Sequence, residues 1–124
     1  MSGFTDHLHE VFGAFGPIET RRMFGGHGVW HQGLMIGLVF GNTLYLKVDE
    51  LTRGQFAAQG LGPFEYTRQG KTVALSYHRA PEEMLESPAE AIAWARLAYA
   101  AALRGARPAG TARKPRPPKS RRAG

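Results

Sequence analysis

Three two-residue breaks constrain this chain more than any other feature. "HGVWHQ" and "LMIGLVF" meet at Gln32-Gly33, Gly41-Asn42 turns the second run into "TLYLKV", and Gly70-Lys71 turns "FEYTRQ" into "TVALSYH". Short β-type runs joined this closely pair as antiparallel hairpins. A parallel pair would need a crossover of about a dozen residues or more. "TRRMF" offers one more short strand ahead of them. Leu34 to Phe40 is apolar on both faces, as suits an interior strand. In the next run Leu44, Leu46 and Val48 face one way and Tyr45 and Lys47 the other. Phe64, Tyr66, Val73, Leu75 and Tyr77 alternate so that they can share one face.

Helical signals flank and interrupt the strands. Phe4, Leu8, Val11, Phe12 and Phe15 lie on one stripe at helical spacing, and Gly16-Pro17 ends that pattern. Asp49 is placed to cap a helix over "ELTRGQFAAQ", closed by Gly60. Ser87, Pro88 and Glu90 supply an N-cap, a first-turn proline and a capping-box acid for the last helix. That helix is expected to run to about Arg104, with Gly105 as its cap. The order is helix, three to four strands, helix, two strands, helix. It predicts an α+β, two-layer domain with helices on an antiparallel sheet, over residues 1–104.

On the last helix, Ile92, Ala95, Tyr99, Ala102 and Leu103 form the stripe expected to pack on the sheet. Trp94, Leu97 and Ala101 turn away from it. The first helix of the same chain, or a second copy in a homodimer, would have to cover them.

Charge divides the chain. Arg104, Arg107, Arg113, Lys114, Arg116, Lys119, Arg121 and Arg122 are eight of its 16 Lys and Arg residues, and no acid lies among them. Residues 1–103 keep eight basic against ten acidic side chains, a net of −2. Residues 105–124 are rich in Pro, Gly, Ala and like charge, which predicts a disordered tail. The tail's Arg113, Lys114, Arg116, Lys119, Arg121 and Arg122 are candidates for non-specific nucleic-acid contacts. No apolar run approaches the roughly 18 residues of a membrane span, so no membrane partner is expected. The opening "MSGFTDHLHE" does not read as a signal peptide. With no cysteine, disulfides and thiolate chemistry are excluded, which fits a cytoplasmic protein.

No catalytic constellation emerges. His27 and His31 are four apart in a predicted strand, ~13 Å from end to end, too far to share an ion without a bend. His7 and His9 point to different faces of a helix. All five histidines are therefore expected at the surface and no metal is expected. There is neither a G-x-S-x-G nor an H-E-x-x-H motif. Glu82, Glu83, Glu86 and Glu90 suit the N-terminal end of the last helix's dipole. "FGGHG" is neither a dinucleotide fingerprint nor a P-loop, so no cofactor is expected. Gly25, Gly26 and Gly28 read as a structural turn. Arg21 and Arg22 beside them stay open as anion-binding candidates.

Several ordered blocks carry a family resemblance: "RRMFGGHGVW", "LYLKVDE", "GLGPFEYTRQGKTVALSYHRAPEEMLE" and "AWARLAYAAALR". Over residues 5–104 the chain closely resembles the N-terminal domain of the TfoX/Sxy family. The resemblance places Arg22, Met23, Phe24, Gly25, Gly26 and Gly28 in a signature turn, and Tyr45 and Lys47 in a signature strand. It implies a secretion-chaperone-like α+β fold and a bacterial, non-enzymatic protein. It also implies regulation of natural competence beside a transcription factor, the cyclic-AMP receptor protein. The full-length regulators carry a second domain where this chain has its basic tail.

The expectation is a small regulatory or protein-interaction module. Its contact surfaces would be the sheet face bearing Tyr45 and Lys47 and the apolar last helix. The alternative is a nucleic-acid-binding protein that uses its tail. An enzyme acting on a phosphorylated or nucleotide ligand at Arg21, Arg22 and Lys47 is a third reading.

Overall fold

The computed structural model describes residues 3–23 and 25–106. Its elements are α1 (Gly3–Val11), β1 (Glu19–Met23), β2 (Gly26–His31), β3 (Leu34–Phe40), β4 (Thr43–Lys47), α2 (Arg53–Ala57), β5 (Pro63–Arg68), β6 (Lys71–Arg79), a 3-10 turn at Glu82–Leu85, and α3 (Pro88–Ala106). The six strands form one antiparallel sheet in the order β1-β2-β3-β4-β6-β5. The helices lie on one of its faces. This is the expected α+β arrangement, with four strands before α2 and two after it.

The hairpin turns follow from backbone conformation. Gln32 and Gly33 have φ of 54° and 83°, and Gln69 and Gly70 have 54° and 80°. Positive φ at both central residues matches the right-handed twist of the flanking strands. The last turn therefore falls at Gln69-Gly70, one residue before the expected Gly70-Lys71.

One bulge matters for burial. Trp30 pairs with Met35 and Val29 with Gly37, so β3 carries an extra residue, Ile36. The alternation shifts there. Ile36 and Val39, three apart, both belong to the core beneath the helices, while Met35, Leu38 and Phe40 face the other way.

The helices depart from expectation in four places. α1 ends at Val11, and Phe12 and Phe15 sit in a following turn closed by a hydrogen bond from Gly16 N–H to the Phe12 carbonyl, 2.8 Å. α2 is only five residues long. Asp49 caps the turn before it, accepting from the Leu51 and Thr52 amides at 3.0 and 3.2 Å. The 3-10 turn at Glu82–Leu85 is an additional element that buries Met84. α3 continues through Gly105 to Ala106, so Gly105 does not cap it. The remainder of the expected tail, including its six nucleic-acid candidates, lies outside the described residues.

α3 packs in a different phase from the one expected. Its buried side chains are Ala91, Trp94, Ala95, Ala98, Ala101 and Ala102, whereas Leu103 is 44% exposed. Trp94 lies edge-on against Phe56 of α2, with centroids 4.8 Å apart. Its indole N–H donates to the Glu90 carboxylate at 3.1 Å. Trp94 and Ala101, expected to be left over for α1 or a second copy, are thus buried within the chain, Trp94 against α2. Ser87 caps the helix, accepting from the Glu90 amide at 3.3 Å. Glu90 itself is committed to Trp94.

The far end of α3 is tied to the sheet. Arg104 Nε and Nη2 donate to the two Asp49 carboxylate oxygens at 2.5 and 3.0 Å. This two-point contact, with help from the Leu51 and Thr52 amides, holds the Asp49 carboxyl down at about 2. Arg104, counted with the tail on charge alone, belongs to the fold.

His31 is not a surface residue. It is 7% exposed, its Nδ1 lies 2.7 Å from the Pro17 carbonyl, and its ring packs between Phe15 and Tyr99. His78 is half-buried, with Nδ1 2.8 Å from the Leu61 carbonyl. In both, a strand's helix-side position put the ring into the core. Among the described residues no three His, Cys, Asp or Glu side chains converge as metal ligands.

Candidate functional site

Among the described residues, one face of the sheet has no helix on it. Strand alternation and register place there Glu19, Arg21 and Met23 of β1, Trp30 of β2 and Met35, Leu38 and Phe40 of β3. Tyr45 and Lys47 of β4, Phe64 and Tyr66 of β5, and Leu75, Tyr77 and Arg79 of β6 complete it. A flat sheet would expose all of these apolar groups. Instead Leu38 is 1% exposed, Tyr77 8% and Phe64 9%.

Curling of the sheet accounts for this. Phe40 and Phe64 stand three strand positions apart, ~14 Å on a flat sheet. Their rings nevertheless stack, with centroids 4.6 Å apart, and Tyr45 meets Phe64 edge-on at 5.0 Å. The face must therefore be concave. β6 advances four residues while β5 advances two between the pairs Pro63–His78 and Glu65–Ala74, an irregularity that bends the strands. At the rim, Phe40, Phe64, Tyr66 and Leu75 line a cleft of about 200 Å³ whose walls are apolar only.

Two cations lie on aromatic rings here. The Lys47 ammonium sits 5.1 Å from the centre of the Tyr77 ring, and the Arg21 guanidinium 4.6 Å from that of Trp30. Burial pushes the Tyr77 hydroxyl up to about 12. Arg21 also holds Glu19 at 3.0 Å. The Trp30 indole N–H is buried and finds no hydrogen-bond partner among the described residues.

The candidates from the "RRMFGGHGVW" stretch separate. Arg21 and Arg22 are neighbours on a strand and point to opposite faces, Arg22 opposite His27. They do not form a paired clamp, and Lys47 lies three strands from Arg21. Each glycine has its own constraint. Gly25 has φ of +80°. A Cβ on Gly26 would lie 2.1 Å from the Val39 carbonyl oxygen. One on Gly28 would meet the sulfurs of Met23 and Met35 at 2.6 and 2.9 Å. Phe24 lies outside the described residues.

Charge is sorted between the two sides. Asp6, Glu10, Asp49, Glu50, Glu82, Glu83, Glu86 and Glu90 belong to the helices and their lead-ins, Glu65 alternates to the helical side of β5, and Glu19 is the acid on the helix-free face. The acids of the helical side outnumber its cations Arg22, Arg53, Arg96 and Arg104. That face carries Arg21, Lys47 and Arg79, with Lys71 continuing the same alternation at the hairpin end. A net charge of −2 over residues 1–103 hides this separation. No helix among the described residues is long and apolar enough to cross a membrane.

Sequence reasoning found Tyr45 and Lys47 and the alternation of Phe64, Tyr66, Leu75 and Tyr77, but not Phe40, Trp30 or Arg79 as parts of the same surface. Their common parity along paired strands was the available signal. The side chain of Val73 lies outside the description.

The family model for the TfoX N-terminal domain matches residues 10–102, from the end of α1 to the last turn of α3. That span takes in every strand of the sheet. No curated protein matches the chain.

Proposed function

The chain belongs to the TfoX N-terminal domain family, and from that premise we propose that it is a small, non-enzymatic regulatory module of the competence type. It acts in the cytoplasm by binding a partner on the helix-free face of its sheet. The observation that carries this reading is the concave face itself: half-buried Phe40, Tyr45 and Tyr66, an apolar cleft, and Lys47 and Arg79 beside it. A sheet face that needed only solvation would carry polar side chains at these positions. Regulation of transcription fits a module that offers a surface rather than a reaction centre.

The test is a transcript profile. In cells deprived of the chain, restoring the natural sequence should return the affected transcripts. Restoring Lys47→Glu/Arg79→Glu at equal abundance should not. Full restoration by the double variant contradicts the proposal.

A second reading is supported by the run of cations after residue 104, unbroken by any acid. It assigns that segment non-specific nucleic-acid binding. Affinity for duplex DNA should then fall steeply with salt and disappear when residues 107–124 are removed.

A further inference from the structure

Resting on that reading of the surface, we infer that its occupant is an acidic peptide segment. One bulky apolar side chain of the peptide enters the cleft formed by Phe40, Phe64, Tyr66 and Leu75, and its carboxylates lie against Lys47 and Arg79.

Three observations select this chemistry. The first is the cleft's lining. Its walls are apolar only and its volume is about 200 Å³, which suits an aliphatic or aromatic side chain. A nucleobase in the same place would bring ring nitrogens and exocyclic groups with nothing to pair them, and desolvation penalises that. The second is charge. On this face Glu19 is already held by Arg21 at 3.0 Å, whereas Lys47, Lys71 and Arg79 stand without a carboxylate opposite them in the strand register. An anionic partner is favoured here, and the acidic helical side of the domain repels it.

The third is continuity. Phe64, in the cleft wall, touches Tyr45, whose register partner is Arg79, and Lys47 lies two residues further along β4. Two strand residues span ~7 Å. An extended peptide therefore reaches these cations a few residues from its anchor. Apolar anchor and flanking charge together set both affinity and orientation.

Three fluorescent probes test the inference against the full chain by anisotropy. They are a short peptide carrying several carboxylates around a central leucine, the same peptide with alanine at that place, and a single-stranded oligothymidylate. Any attraction by the basic C-terminal segment is equal for the two peptides, so their difference reports the cleft. The alanine peptide should bind about tenfold more weakly, as expected for removal of a buried anchor. The leucine peptide should lose about tenfold against Lys47→Glu/Arg79→Glu, at an unchanged melting temperature. Methyl signals of Leu75 should shift on adding the leucine peptide to the natural chain.

Equal binding of the two peptides, or no binding of either, overturns the inference. So does an oligothymidylate that binds more tightly than the leucine peptide and is the probe lost in the double variant. If the peptide arm fails while the double variant still loses transcript regulation, the acidic-peptide inference falls and the proposed surface stands. If the double variant keeps that regulation, the surface falls with it.

Discussion

On β4, Leu44 and Leu46 point to the helices and are 3% and 0% exposed, while Tyr45 and Lys47 point the other way and are half-buried. Both faces of the sheet are apolar, but they hide that surface by different means. The helical side places a second layer on it, built from α3, α2 and the turn after α1. The other side curls until Phe40 and Phe64 meet across two intervening strands. A layer excludes water over the whole interface. A curl protects the floor, at Leu38, and leaves the rim rings partly open. One face is thus finished within the chain, and the other keeps apolar surface and cations available.

The largest expected effects test the finished face. Trp94→Ala removes the ring packed on Phe56 and frees Glu90 from its hydrogen bond, and should cost about 3–5 kcal/mol. Leu75→Ala, on the curled face, should cost about 1 kcal/mol, because a half-open site leaves little cavity. Chemical denaturation of both variants checks the contrast, and equal losses would break it. Gly26→Ala comes next. Its Cβ would lie 2.1 Å from the Val39 carbonyl oxygen, so β2 and β3 must move apart, at about 1–3 kcal/mol.

The two faces should also respond at opposite ends of the pH scale. Asp49, paired with Arg104 beneath α3, has its carboxyl lowered to about 2. An unfolded aspartate titrates near 3.9. The stability from this pair is therefore complete above about pH 4 and lost as pH falls towards 2. Asp49→Asn should flatten that part of the acid denaturation curve. Tyr77, on the curled face, is raised to about 12 by burial. Its unfolded hydroxyl ionises near 10, so stability should fall between about pH 10 and 12. Tyr77→Phe should remove that loss, as read by alkaline unfolding. The smallest effect belongs to Lys47→Glu/Arg79→Glu. These side chains lie outside both cores, so the stability change should stay within about 0.5 kcal/mol.

The hairpins were legible because their signals are local: a turn of two residues and a period of two. The phase of α3 was not. Its alanines make several stripes equally apolar, and the spacing of α3 does not show that Trp94 packs inward against Phe56. Arg104 was legible as the end of the last helix, but its charge was counted with the tail because its partner Asp49 lies 55 residues away. His31 read as surface because a histidine's burial depends on a carbonyl, here that of Pro17, which sequence spacing does not reveal. The concave site was legible only as an alternation of rings. The curl that brings Phe40 to Phe64 depends on register irregularities, and these belong to strand pairs rather than to any one strand.

Site-specific photocrosslinking in the native cell reads out which face of the sheet meets the partner. A photoreactive phenylalanine analogue replaces Tyr45 on the helix-free face in one chain and Arg96, exposed on α3, in another. A discrete adduct is expected from position 45 and none from position 96. The position-45 adduct should be lost when Lys47→Glu/Arg79→Glu is added. An adduct from position 96 with none from position 45 would place the partner on the helices and contradict the assignment of the curled face as the working surface.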